Sequence, residues 1–178
     1  PIFFNGTVNI KDTSNPALNL TVSAQDLDAT AFGDFGVTGR ISGTATIGGT
    51  ATKPTANGHV SARDVHYGDY AIREADANFI YDGTTVTIPD FSVDPGFGAA
   101  KGTASYNIDT SAYNATVSAV DMPLSMLQDQ LGMPITGTVT GAVAVSGVSS
   151  ESAPRSIKAN LKATNMYAQG ISVAYAAA

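Results

Sequence analysis

Apolar and polar residues alternate along most of this 178-residue chain. In the run 37–47, Val37, Gly39, Ile41, Gly43, Ala45 and Ile47 take the odd positions, with Thr38, Arg40, Ser42, Thr44 and Thr46 between them. A period of two puts successive side chains on opposite faces of a strand, so the run predicts a strand with one apolar and one wet face. The same reading holds for Ala75, Ala77, Phe79 and Tyr81; for Val86 and Ile88; for Ala104, Tyr106 and Ile108; for Tyr113, Ala115, Val117 and Ala119; for Ile135, Val139, Val143 and Val145; and for Ile157, Ala159, Leu161 and Ala163. Thr, Ser, Asn, Asp and Lys fill the intervening positions.

Turn residues separate these runs. Asp82-Gly83 between Tyr81 and Val86 is a strong local hairpin signal. Asp94-Pro95-Gly96 reads as a turn, and 12–16 and 109–111 as longer loops. Consecutive hairpins imply an antiparallel meander. One segment breaks the alternation. Pro123 stands at its start, Gly132 just past its end, and Leu124, Leu127 and Leu131 form one stripe, which predicts a short helix. The corresponding place in the first half, 30–35, has room for one helical turn at most.

Composition agrees with sheet. Ala (27), Thr (20) and Gly (18) lead, while Leu has only 7, the reverse of a helical protein. With nine Lys and Arg against 15 Asp and Glu, the net charge is -6. Such a chain lacks the residues for a basic face that tracks a nucleic-acid backbone or anionic lipid headgroups. The absence of Cys excludes a disulfide scaffold, a thiol nucleophile and a Cys-based zinc site. No apolar run is long enough to cross a bilayer as a helix. No leader peptide is visible, and the abrupt start at Pro1 reads as the start of a segment of a longer chain.

Two stretches of the chain align with each other. Gly6-Thr7 matches Gly102-Thr103, residues 21–27 match 116–122, residues 38–43 match 136–141, and residues 60–65 match 161–166. The offset drifts only between 95 and 101, as loops of unequal length would make it. The chain therefore reads as one repeat over 1–96 and an incomplete second over 97–178. Each unit has roughly six strands and a short helix after the second, the whole forming one continuous sheet.

The chemistry of a site is hard to find. Asp64, His66 and Asp69 could suggest a metal or acid–base cluster, but a solvated strand end explains them, and the aligned second-copy positions hold Asn165 and Tyr167. The run 43–50 imitates phosphate-loop spacing without its Lys. Scattered acids (Asp26, Asp28, Asp34, Asp90 and Asp94) lack calcium-loop spacing. No catalytic motif, metal site or cofactor is expected, and the chain does not read as an enzyme.

What remains is the apolar face, where Ala recurs at 45, 62, 75, 77, 104, 115, 119, 159 and 163 with no Trp anywhere. Small residues on a continuous apolar sheet leave room for a hydrocarbon chain. Equally, two such faces could close on each other as a sandwich. The pattern alone leaves both open.

The order Asp121, Pro123, Leu124, Leu127, then Thr136 to Gly141, Val145 to Gly147, and Pro154 to Ala163 resembles the repeat of AsmA/TamB-type envelope proteins. The first copy shows its later part at Thr38 to Gly43, Ile47 to Gly49, Pro54, and Gly58 to Ala62, and lacks the Pro-Leu helix start. The chain is most similar to the middle or C-terminal region of a TamB protein. The resemblance implies an all-β fold, an elongated antiparallel sheet curled into an open apolar trough. It implies a protein of diderm bacteria, anchored in the inner membrane and extending through the periplasm, that carries phospholipid toward the outer membrane. It further implies an outer-membrane partner of the barrel-assembly type. The residues expected to line the trough are Ile41, Ala45, Ile47, Ala75, Ala77, Phe79, Val86, Ile88, Tyr106, Ile108, Val117, Val139, Val143, Val145, Ile157 and Leu161. Two rival readings are a module that holds nascent barrel strands by β-augmentation and an Ig-like adhesin repeat with a dry sandwich core.

Overall fold

A computed structural model describes residues 1–33, 36–68, 70–128, 132–150, 154–168 and 171–177. The alternating runs become eleven strands: β1 (Ile2–Asn9), β2 (Ala17–Asp28), β3 (Val37–Thr50), β4 (Lys53–Tyr67), β5 (Tyr70–Tyr81), β6 (Thr85–Asp94), β7 (Ala99–Asn107), β8 (Ala112–Pro123), β9 (Ile135–Val148), β10 (Ser156–Ala168) and β11 (Ile171–Ala177). They form one antiparallel sheet in sequence order, β1 beside β2 through to β11. At about 4.8 Å per strand, the ten steps extend the sheet roughly 48 Å. β1 and β11 each pair with one neighbour, so the sheet is open rather than closed into a barrel.

The turns form as their residues dictate. The Asp82 carboxylate accepts the Thr84 and Thr85 amides at 2.9 and 2.7 Å, and Gly83 takes φ +101° between them. Asp94 accepts the Gly96 amide at 2.7 Å, and Asn107 accepts the Thr110 amide at 2.8 Å. The two amides on Asp82 hold its carboxyl below the usual carboxylate range. A depressed folded-state pKa stabilises above the unfolded value, about 3.9, and that stability is lost as pH falls through the folded value. Asp82→Ala is therefore expected to lower the urea midpoint at neutral pH. The difference from the parent chain should vanish as the pH is taken well below 3.9.

The expected helical segments are single 3-10 turns, at Ala29–Phe32 after β2 and at Leu124–Leu127 after β8. Leu131, the last residue of the expected Leu stripe, lies outside the described residues. Asp28 caps the first turn through the Thr30 amide at 3.0 Å. Ala29, Leu124, Ile135 and Pro95 are the buried apolar side chains among the described residues.

The sandwich that the pattern also allowed does not form. Two layers would bury the apolar face, and one sheet has no second layer. The accessible surface is 11272 Å² for an 18.1 kDa chain, against roughly 8,100 Å² for a globular protein of that mass. Exposure nevertheless differs between the faces. Along β4, Pro54, Ala56, Gly58 and Val60 are half-buried, while Lys53, Thr55, Asn57 and His59 are exposed. Lower exposure on the apolar side, seen also along β2, is what curling toward that side produces.

Register shifts interrupt the ladder at matching places in the two halves. They fall between Ala24 and Leu27 and between Ala119 and Met122, then between Thr38 and Arg40 and between Thr164 and Tyr167. Asp26, Asp64, Asp121 and Asn165 sit there with φ of 50–52°, the left-handed conformation that Asp and Asn tolerate better than most side chains. The extra amide of the first bulge, Asp26 N–H, donates to Ser42 Oγ at 3.0 Å, and Asp121 N–H donates to Thr140 Oγ1 at 2.9 Å. Each bulge keeps apolar residues on one side although the chain has gained a residue. Without it the period of two would send Leu27 and Met122 to the wet face.

Candidate apolar trough

Cross-strand pairing shows which residues share the apolar face. One row runs Leu20, Ile47, Ala56, Tyr81, Val86, Tyr106, Tyr113 and Gly147. The next has Phe4, Val22, Ala45, Gly58 and Phe79 on β1–β5, and Ile88, Ala104, Ala115, Val145 and Ile157 on β6–β10. A third runs unbroken from β1 to β10: Ile2, Ala24, Gly43, Val60, Ala77, Phe91, Gly102, Val117, Val143 and Ala159. A fourth has Leu27, Ile41, Ala62, Ala75, Val93, Ala100, Ala119, Gly141 and Leu161. Beyond it Met122, Val139 and Ala163 stand opposite one another. No charged residue enters these rows.

Fifteen of the sixteen residues expected to line a trough fall in these rows. The other, Ile108, follows the last residue of β7 and is 50% exposed. The rows also hold residues absent from that expectation: Leu20, Val22, Val60, Tyr81, Phe91, Val93 and Tyr113. The alternation that identified their neighbours could have found most of them. Phe91 and Val93 required the shift between Ile88 and Phe91, where the phase of β6 changes.

The reverse face carries the charge. His59 Nδ1 meets Asn78 Oδ1 at 3.2 Å, its Nε2 lies 3.3 Å from Asp76, and Asn78 Nδ2 donates to Asp90 at 2.8 Å. Arg73 is hydrogen-bonded to Asp94, which holds the Asp94 carboxyl low and raises the guanidinium. The hollow of largest volume described, about 510 Å³, is on this side among Thr44, Asn57, His59, Asn78 and Asp90. Its lining is mostly polar, with Ala45, Phe79, Ile80 and Pro89 contributing the apolar part. A hollow lined mostly by residues of the apolar rows is smaller, about 180 Å³ among Val22, Ala24, Ile41, Ala45, Val60 and Phe79. It is a dimple in an open surface, and the surface rather than the dimple is the candidate site. Of the cluster Asp64, His66 and Asp69, the His66 imidazole Nδ1 meets the Asp64 backbone carbonyl at 3.0 Å, and Asp69 lies outside the described residues. The phosphate-loop imitation at 43–50 lies inside β3.

A family model described as the TamB C-terminal domain matches residues 2–90, half of the chain, from β1 into β6. Comparisons with curated proteins and with solved structures return no match.

Proposed function

Because the chain belongs to the TamB family, a family of bacterial envelope proteins, we propose that it is one segment of a bridge that carries phospholipid acyl chains between the inner and outer membranes. The observation that carries this reading is the unbroken apolar row from Ile2 to Ala159, with three more beside it and no protein layer covering them. A hydrocarbon chain lying across the strands would keep apolar contact on its protein side. It would retain part of the roughly 0.8 kcal/mol per methylene that it gains in a bilayer. Movement along a surface this uniform is close to isoenergetic, so direction comes from the supply and removal of lipid at its ends. The wet face, rich in Thr, Ser, Asp and Lys, meets the aqueous periplasm. On this reading the two halves, with matched bulges, matched 3-10 turns and aligned sequences, are two copies of one trough-building unit. Anchorage in the inner membrane and engagement of an outer-membrane barrel-assembly partner belong to the full-length protein under this reading.

The test is a photo-crosslinking amino acid at Ile47 and at Val143 in cells, followed by mass spectrometry of the adducts. Phospholipid adducts at both positions, and their absence from Thr46 and Ala142 on the other face, are expected. Peptide adducts in place of lipid would overturn the reading in favour of β-augmentation.

A further inference from the structure

We propose that three cross-strand aromatic–glycine pairs set the headroom of the trough: Phe79 on Gly58, Phe91 on Gly102 and Tyr113 on Gly147. The inference rests on the lipid-carrying reading and adds which residues decide what fits. Each pair is in direct register across neighbouring strands. A Cβ at Gly58 would stand 2.8 Å from Phe79 Cε1 and Cζ. One at Gly102 would stand 2.9 Å from Phe91 Cζ, and one at Gly147 2.8 Å from Tyr113 Oη. Cβ atoms do not approach rings so closely. Each ring therefore occupies the volume that a side chain opposite would fill, and the aromatic lies down across the next strand.

The consequence is one of height. Face-to-face sheets sit about 10 Å apart, so an upright side chain reaches roughly 5 Å above its sheet. Phe79 leans from β5 onto β4 and Phe91 from β6 onto β7, away from each other. The largest side chains of the central floor thus take little headroom, and Ala77, two residues from Phe79 on β5, stands opposite Phe91. Aromatic cover of a strand glycine also shields backbone that a glycine leaves bare. A floor built this way suits an unbranched acyl chain that must slide across strands without meeting a raised ring.

Replacing the glycines cannot test this, because a Cβ at Gly58 or Gly102 would also meet backbone oxygen, Thr44 O at 2.2 Å and Thr116 O at 2.0 Å. Two identical substitutions on the same face can. Ala119 stands opposite Gly141, and the nearest atoms to a Cβ there are backbone atoms of Asn160 and Leu161, so that cradle holds no ring. Ala104 stands opposite Ile88 and Ala115, with no glycine on either side. In titrations of the folded chain with fluorescent NBD-phosphatidylethanolamine, Ala104→Phe is expected to weaken binding about tenfold, equivalent to lifting roughly two methylenes off the floor. Ala119→Phe, with a glycine to lie on, should weaken it only about twofold. Far-ultraviolet circular dichroism checks the fold of both. Ala104→Leu and Ala119→Leu carry the same comparison, with the same ordering expected, should either Phe variant not fold. Equal weakening by the two substitutions refutes the glycine cradles and leaves the trough standing. No weakening by either overturns the lipid-carrying reading along with them.

Discussion

Val143→Asp is expected to weaken phospholipid binding about a hundredfold and to leave the sheet folded. Val143 is half-buried in the unbroken third row, with Val117 and Ala159 on either side. Neither neighbour can pair with a carboxylate. With the trough empty, the new group stays in contact with water across the open face and costs the fold little. With an acyl chain over it, the charge must be stripped of water or the chain must leave. An unpaired ion under hydrocarbon costs several kcal/mol, of which the open rim relieves part, and about 3 kcal/mol corresponds to the hundredfold loss. The control lies one residue away. Ala142 shares the strand but is in register with Ser118 and Asn160 on the wet face. Ala142→Asp should bind NBD-phosphatidylethanolamine as the parent chain does. Equal effects at 142 and 143 would mean that the face, and with it the trough, has been assigned wrongly.

The second large effect is on stability. Gly102→Val is expected to lower the unfolding free energy by about 3 kcal/mol, read from urea titration. A Cβ at Gly102 would lie 2.0 Å from Thr116 O in β8 and 2.9 Å from the Phe91 ring. Backbone cannot give way as a flexible side chain can, so the β7–β8 ladder must part locally. Lost backbone hydrogen bonds and a displaced ring then add to the overlap. Gly96→Ala is the comparison. Nothing lies within 4 Å of a Cβ there, and only its φ of +92° resists the change. Its cost should be about 1 kcal/mol. Comparable losses at the two glycines would show that close strand approach is not what Gly102 provides.

Both predictions concern a structure that has little interior. With four buried apolar side chains among the described residues, stability comes from backbone ladders and cross-strand contacts between neighbours rather than from a packed centre. This is why the glycine contacts weigh heavily and why single substitutions on the open apolar floor weigh lightly. The Ala-rich face contributes little cohesion of its own, so its sequence is free to answer to what lies over it.

The amino-acid sequence by itself determined the strands, their two faces and most of their turns. Those properties are local: period two fixes the faces, and Asp82-Gly83, Asp94-Pro95-Gly96 and Asn107 carry their own turn chemistry. It also placed fifteen trough residues on one side, because neighbouring strands of a meander inherit their faces from the hairpins that join them. The tertiary structure alone decided between one open sheet and two closed layers, since an alternating strand is equally content with either partner. It alone revealed the bulges at Asp26, Asp64, Asp121 and Asn165, of which those at Asp26 and Asp121 keep Leu27 and Met122 on the apolar side. It alone seated Phe79, Phe91 and Tyr113 on glycines of the next strand. What stands opposite a residue is set by register between segments far apart in sequence, 34 residues for Tyr113 and Gly147, and nothing in either segment read singly records it.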